Sequence, residues 1–244
     1  MCGRFTSTSP IEVLAETFAV DEIRAEPSEA RYNVAPTQEV LAVATRRPRP
    51  SGDRAPAGTG AVRSLGQFRW GLIPSWAKDL SVASRMINAR AETIAVKPAY
   101  RKAMITRRCL IPADAFYEWQ ARPGRGSKQP WAIRLASGQP MAFAGLWEVW
   151  RDRRDPDAPP VRSCVIITTA ANRALSDIHD RMPVVLAPHT WTRWLDPTNE
   201  DHDGLHALLR AAPDDCFETT TVSPAVNAVT NDGPELIRPT PADG

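Results

Sequence analysis

Along this chain short apolar runs recur between polar, Gly- and Pro-rich connections, and helical spacing is confined to short stretches. The segments 40–44, 68–73, 131–135, 141–150, 163–169 and 217–222 are short runs rich in apolar, β-branched and aromatic residues, and they predict strands. Shorter strands are predicted at 31–36, 108–111, 115–119 and 183–187. Ser9-Pro10-Ile11-Glu12 reads as an N-cap, a proline at the first helical position and an acidic first turn, and the helix continues through Val13, Leu14 and Phe18. Further short helices are predicted over 97–107, 171–178, 190–195 and 204–211. Asn88 to Thr93 reads as an exposed turn leading into helical material. Strands dominate and do not alternate regularly with helices. That pattern predicts an α+β single domain, with largely antiparallel sheets curled into a barrel-like core and flanking short helices.

The domain is expected to span residues 2–238. Residues 46–63 are rich in Pro, Gly and Arg without periodicity and predict a flexible surface loop. Residues 121–129 and 151–160 are polar connections, and 239–244 is a loose tail.

At 244 residues the chain can bury a core without a disulfide or metal staple. The net charge of +2 does not announce a nucleic-acid partner. Nearly all the basic residues are arginine, whose fork grips phosphate where lysine offers a point charge. An Arg-, Ala- and Pro-rich composition is also what a GC-rich genome produces. No apolar run approaches a membrane span, and no secretory signal is evident, so no membrane partner is expected. Cys2, Cys109, Cys164 and Cys216 are scattered, which suits a reducing cytoplasm. Cys109 and Cys164 sit in apolar runs and read as buried thiols. His202 and His206 are four apart, but Gly204 lies between them and there is no HExxH; Asp201 and Asp203 read as solvated. Neither a metal nor another cofactor is expected.

The chemistry is concentrated at Cys2, inside Met1-Cys2-Gly3-Arg4-Phe5. Removal of Met1 would give a terminus with an amine and a thiol on adjacent carbons. Such a 1,2-aminothiol condenses with an aldehyde to an imine, and the thiol then closes a thiazolidine ring. Roughly a tenth of an α-amine near pKa ~8 is neutral at pH 7. Three other segments set polar residues among apolar ones: Ile87-Asn88-Ala89-Arg90, Phe116-Tyr117-Glu118-Trp119, and Ile178 to Pro183 with His179 and Arg181. Each also has a structural reading. Asn88 suits a turn, Glu118 the wet face of a strand, and His179 a helix end. A glutamate walled by Tyr117 and Trp119 is a candidate for an upward pKa shift through desolvation.

Seven segments in chain order resemble the SOS response-associated peptidase family, also described as abasic-site processing proteins. They are 1–5, RYNVAP (31–36), WGLIPSW (70–76), INARAET (87–93), CLIPADAFYEW (109–119), IHDRMPVVL (178–186) and VSPAV (222–226). The resemblance runs from Cys2 to about Pro239. It implies recognition of abasic sites in single-stranded DNA and their capture as a thiazolidine crosslink. By position it implies Cys2 as nucleophile, Asn88 as the group orienting the terminus, and Glu118 and His179 as proton-transfer groups. Reversal of the crosslink and a β-elimination (lyase) side reaction are also implied. DNA contact would come from Arg4, Arg90 and Arg181 on phosphates, with Trp76, Trp119 and Pro36 stacking or wedging bases. Trp70 and Trp147 read as core. The protein is expected to be a cytoplasmic monomer that joins the nucleoid on damage. Removal of Met1 is sufficient self-processing, and nothing points to proteolysis of other proteins.

Two other classes fit part of the pattern. An N-terminal-nucleophile amidohydrolase also begins Met-Cys-Gly, but its His-x-Arg and Asn-Gly segments are absent here. A non-covalent single-strand-binding module would leave Cys2 inert.

Overall fold

The computed structural model describes residues 2–46, 60–124 and 126–240. In chain order its elements are β1 (Phe5–Ser7), α1 (Ile11–Thr17), β2 (Glu22–Ile23), β3 (Arg31–Val34), β4 (Glu39–Arg46), β5 (Val62–Trp70), β6 (Asn88–Arg90), α2 (Arg101–Thr106), β7 (Arg108–Ala113), β8 (Ala115–Gln120), β9 (Gln129–Leu135), β10 (Met141–Trp150), β11 (Val161–Ala170), β12 (Arg181–Pro183), α3 (Trp191–Leu195), α4 (His202–His206) and β13 (Phe217–Thr221). Short 3-10 turns fill several connections. One sheet has the order β13-β9-β8-β1-β3. The other runs β12-β11-β10-β7-β4-β5-β2 and closes on itself over a short stretch, because β5 also pairs in parallel with β11 through Ser163↔Arg69 and Cys164↔Trp70. The α+β expectation holds, with the larger sheet partly ring-like.

The two-residue period of each strand separates two apolar faces. Ala42, Ala44, Phe68, Trp70, Cys109, Ile111, Phe143, Trp147, Cys164 and Ile166 form an inner cluster that also takes in Phe5, Phe116 and Ile133 of the smaller sheet. The alternate residues Leu41, Val43, Leu65, Leu110, Leu146, Val165 and Ile167 face outward and are covered by the helices. A register slip of one residue would exchange these faces, so burial on both sides pins the pairing. The helices are too short to stand alone. Ile11 and Leu14 of α1 are buried, and Phe18 stacks on Trp191 with centroids 4.6 Å apart. Burying side chains of this size stabilises by roughly 1.5–3 kcal/mol each.

Several expected elements differ in the structure. Residues 171–178 form turns rather than a helix, closed by Asn172 and Leu175 carbonyls. The helix predicted over 97–107 is confined to α2 and that over 190–195 to α3, while that over 204–211 is shortened to five residues and begins earlier, at His202. The strand predicted at 183–187 is instead β12 followed by a single bridge from Val185 to Phe143. Ser9 does not cap α1: its hydroxyl bonds Asp114, and Pro10 occupies the cap position. Most of the 46–63 loop and of the 239–244 tail lies outside the described residues; Arg46 ends β4 and Val62 begins β5.

Two features of the β5-to-β6 connection set up the site. Gly71 leaves β5 at φ +127, and a Cβ there would lie 2.5 Å from the Ala83 carbonyl oxygen. Only glycine suits that corner. The chain then returns as β6, which lies parallel beside β11 with Asn88 opposite Ile166.

Candidate active site

Asn88 is therefore not in an exposed turn. Its place on β6 presents its side-chain amide to the first residues of the chain, and Nδ2 donates to the Cys2 carbonyl oxygen at 2.8 Å. The Asn88 backbone carbonyl accepts from the Tyr100 hydroxyl at 3.5 Å. Asn88 Oδ1 is buried and has no hydrogen bond among the described residues. Cys2 itself is fully buried in the inner cluster. Two residues on, Arg4 anchors the same segment: its carbonyl accepts from the Tyr117 N–H at 2.9 Å, and β1 continues between β3 and β8.

Glu118 sits on β8 opposite Trp131 and is only 3 % exposed. The sequence left two readings for Glu118, the wet face of a strand or a carboxyl desolvated between Tyr117 and Trp119. The strand lies inside the smaller sheet, with Tyr117 buried on one face and Glu118 turned toward the chain start on the other. Burial pushes the Glu118 carboxyl up to about 7; the Asp180 charge adds to the rise, and Lys128 opposes it. At neutral pH such a group exists in both protonation states, which general acid–base work requires. Burial also raises the Cys2 thiol, and the Glu118 charge raises it further, while a hydrogen bond from the Arg4 backbone opposes them. Cys2 is thus a thiol rather than a thiolate at neutrality. The shared electrostatic influence places Cys2 and Glu118 in one site.

His179 completes the group from the turn after residue 171. Its Nε2 lies 3.9 Å from Glu118 Oε2. Nδ1 accepts from the Arg181 backbone N–H at 2.9 Å, which leaves the proton on Nε2, facing Glu118. Asp180 Oδ1 is also 2.8 Å from Nδ1, a contact that needs the proton on that nitrogen instead. The two partners favour opposite tautomers, and the Asp180 carboxylate is 85 % exposed and well solvated, so the backbone bond is the firmer one. Burial lowers the His179 pKa, with Lys128 acting the same way and Asp180 against it. The ring is mainly neutral at pH 7.

The six residues expected to touch DNA are in different states, and Trp76 lies in a separate hollow with Pro98, Lys102 and Glu148. Arg4 donates to Asn33 Oδ1 at 2.7 Å and the Val226 carbonyl at 2.8 Å, and lies 5.8 Å from the centroid of Trp119. Trp119 donates to Asn227 at 2.6 Å. Arg181 is held by Glu92 at 2.6 and 3.1 Å and by the Thr168 carbonyl at 2.7 Å. Arg90 is exposed and has no hydrogen bond or ion pair among the described residues. Trp76 is 60 % exposed, and Pro36 is half-buried. Trp70 and Trp147 are in the core as expected. Cys109 and Cys164 are buried and free. Among the described residues no group of acidic, His and Cys side chains could hold a metal; His206 instead contacts the Ala91 carbonyl.

Sequence reasoning did not single out Asn33, which is fully buried and donates to the carbonyls of Val226, Ala228 and Asn231. It ties Arg4 to the C-terminal segment. The available signal was its place within RYNVAP.

A buried cysteine, a hydrogen-bonded amide, a carboxyl raised to about 7 and an imidazole meet on an α+β scaffold. Residues 1–229 match the family model described as SOS response associated peptidase (SRAP), and the chain belongs to this family. It is 43 % identical to the abasic site processing protein YoqW of Bacillus subtilis over 97 % of this chain and 99 % of that one. It is 32 % identical to the abasic site processing protein YedK of Escherichia coli, covering 98 % and 100 % of the two chains. The abasic site processing protein HMCES of Gallus gallus is 31 % identical over 79 % of this chain and 67 % of its own length. A solved Bacteroides thetaiotaomicron protein shares the fold at TM-score 0.81 and 19 % identity, covering 98 % of this chain and all of that one.

Proposed function

We propose that this protein captures abasic sites in single-stranded DNA as a covalent adduct at Cys2 after Met1 has been removed. The observation that carries this reading is the grip of Asn88 on the Cys2 carbonyl beside the raised carboxyl of Glu118. The names of the relatives supply the substrate class. Holding the Cys2 carbonyl fixes the direction of the amine and the thiol together, and positioning of this kind replaces lost freedom that a loose terminus would have to give up at each encounter.

The chemistry balances with these groups. An abasic deoxyribose is mostly a closed hemiacetal. A base removes its hydroxyl proton while an acid protonates the ring oxygen, opening the aldehyde. The Cys2 amine adds to C1′, and protonated Glu118 or His179 delivers the proton with which water departs, leaving an imine. Cys2 Sγ then adds to the imine carbon. Its proton passes to the carboxylate and on to the ring nitrogen, and a thiazolidine results. The raised thiol pKa makes this last proton transfer necessary. Running the same steps backward releases the DNA. An imine at C1′ also acidifies C2′, so strand cleavage by β-elimination is a side reaction of the same intermediate. The chain works as a monomer on this reading.

Incubation with single-stranded DNA carrying one abasic site, followed by a denaturing gel, tests it. A shifted covalent band that is absent in Cys2→Ala supports the proposal. Binding with no band in the wild type would leave only a non-covalent module.

A further inference from the structure

Away from the Cys2 site, the other end of the ring of strands is crowded with arginine. Arg46 ends β4, Arg107 precedes β7, and Arg162 stands near the start of β11 opposite Val149. The register brings these ends together, since Ala44 pairs with Cys109 and the Trp147 N–H donates to the Arg107 carbonyl. They line an open cavity of about 870 Å³ with Trp147, Arg151 and Arg153. Cys2, Asn88, Glu118 and His179 are not part of its wall. On β11, Arg162 is four residues from Ile166, the partner of Asn88, or about 13 Å of strand.

Three features point to a ligand of negative charge. The first is charge balance. Among the described residues the side chains of Arg46, Arg151, Arg153 and Arg162 have no hydrogen bond or ion pair, and only Arg107 has a carboxylate, Glu148 at 2.7 Å. The second is the set of buried polar atoms without partners. Arg46 Nε, Arg107 Nε and Trp147 Nε1 are all donors, and no acceptor in this wall is left over with them. A cavity walled by unused donors is complementary to oxygen acceptors. The third is preorganisation. The Arg46 guanidinium lies 4.6 Å from the Trp147 ring centroid, so its plane is held before any ligand arrives. Burial and the neighbouring charges of Arg162 and Arg24 depress the Arg46 pKa to about 10, which still leaves it charged at neutrality. An anion between Arg46 and Arg162 would relieve that repulsion.

We infer that this basic mouth is a second binding site, separate from the Cys2 centre, for a run of two or more phosphate groups gripped by the Arg46 and Arg162 forks. Arginine forks match phosphate oxygens in pairs, and the cavity has the size of small-molecule sites. The phosphates can belong to a nucleic-acid backbone or to a free oligophosphate. Both sources present the same oxygens, and the site does not depend on the chemistry proposed for Cys2.

The test uses the full-length protein with two probes: inorganic tripolyphosphate by calorimetry, and an undamaged fluorescent oligothymidine by anisotropy across a salt series. The comparison is with Arg46→Gln/Arg162→Gln. Tripolyphosphate binding that weakens at least about tenfold in the double variant supports the site. A DNA salt slope that falls by about two identifies a strand as an occupant; tripolyphosphate affected alone identifies the free ligand. Equal binding of both probes by wild type and variant overturns the inference. The variant removes two repelling charges, so its Tm should equal or exceed that of the wild type. Should it not fold, Arg151→Gln/Arg153→Gln on the exposed rim carries the same comparison. Crosslinking at saturating abasic DNA should be unchanged in either variant. This separates failure of the mouth from failure of the Cys2 reading, which Cys2→Ala reports independently.

Discussion

The two ends of the strand ring solve opposite electrostatic problems. At the Cys2 end, titratable groups are few and sheltered, and they are shifted toward neutrality: a carboxyl raised to about 7, a thiol raised, an imidazole lowered. Nearby arginines are mostly held by protein acceptors, Arg4 by Asn33 and Val226 and Arg181 by Glu92. At the other end, among the described residues, most of the guanidinium groups lack an ion-pair partner, and Arg46 keeps its charge at neutrality. Desolvation leads at both ends, and at the second the like charges of Arg162 and Arg24 add to it on Arg46. A neutral, mobile-proton environment suits bond making, whereas fixed positive charge suits holding an anion.

Perturbation at the Cys2 end should break covalent chemistry and spare anion affinity. Cys2→Ala has the largest effect, complete loss of the adduct on a denaturing gel. Glu118→Gln should slow adduct formation by on the order of 100-fold, the usual scale of a general acid–base group. The same substitution has a stability signature. Glu118 holds its proton more tightly folded than unfolded, so the folded state carries the extra proton between about pH 4.5 and 7 and stability falls as pH rises through that window. The shift corresponds to on the order of 3 kcal/mol. Thermal melts should therefore show the Gln variant gaining on wild type at pH 8 but not at pH 4.5. An equal difference at both values would remove Glu118 from this role. His179 works in the other direction: its lowered pKa costs stability as pH falls below 6.5, and His179→Gln should lose only that acid limb.

Asn88→Ala comes next. Loss of the bond to the Cys2 carbonyl should reduce the single-turnover rate by on the order of 10- to 100-fold with little change in DNA affinity. A change in affinity with an intact rate would make Asn88 a DNA contact instead. Arg90→Gln is the mildest change. Arg90 is exposed, so its loss should weaken DNA binding by less than about tenfold and lower the salt slope by about one.

Much of the sheet was readable because strands buried on both faces stand out as short apolar runs between polar, Gly- and Pro-rich connections. β4, β7 to β11 and β13 fall within a few residues of their predicted spans. Helices were less readable. Residues 171–178 carry helical spacing, yet Asn172 spends its amide on the Ala212 and Pro213 carbonyls and draws the chain into turns. Asn88 looked like a turn residue because three residues of parallel strand leave no period to detect. For Glu118 the wet and the desolvated readings both stayed open, because a strand's period tells which residues share a face but not what covers that face.

The chain by itself singled out the members of the candidate site: Cys2 and the segments bearing Asn88, Glu118 and His179. Those are local chemical facts, and they survive without coordinates. Only the tertiary structure decided that β6 lies against β11 so that Asn88 reaches the Cys2 carbonyl, and that Glu118 is buried enough to titrate near 7. It also gathered Arg46, Arg107 and Arg162, far apart in sequence, around one mouth. The reason is that pKa and charge density depend on distance and on excluded water, and both are set by which strands pair rather than by neighbours along the chain.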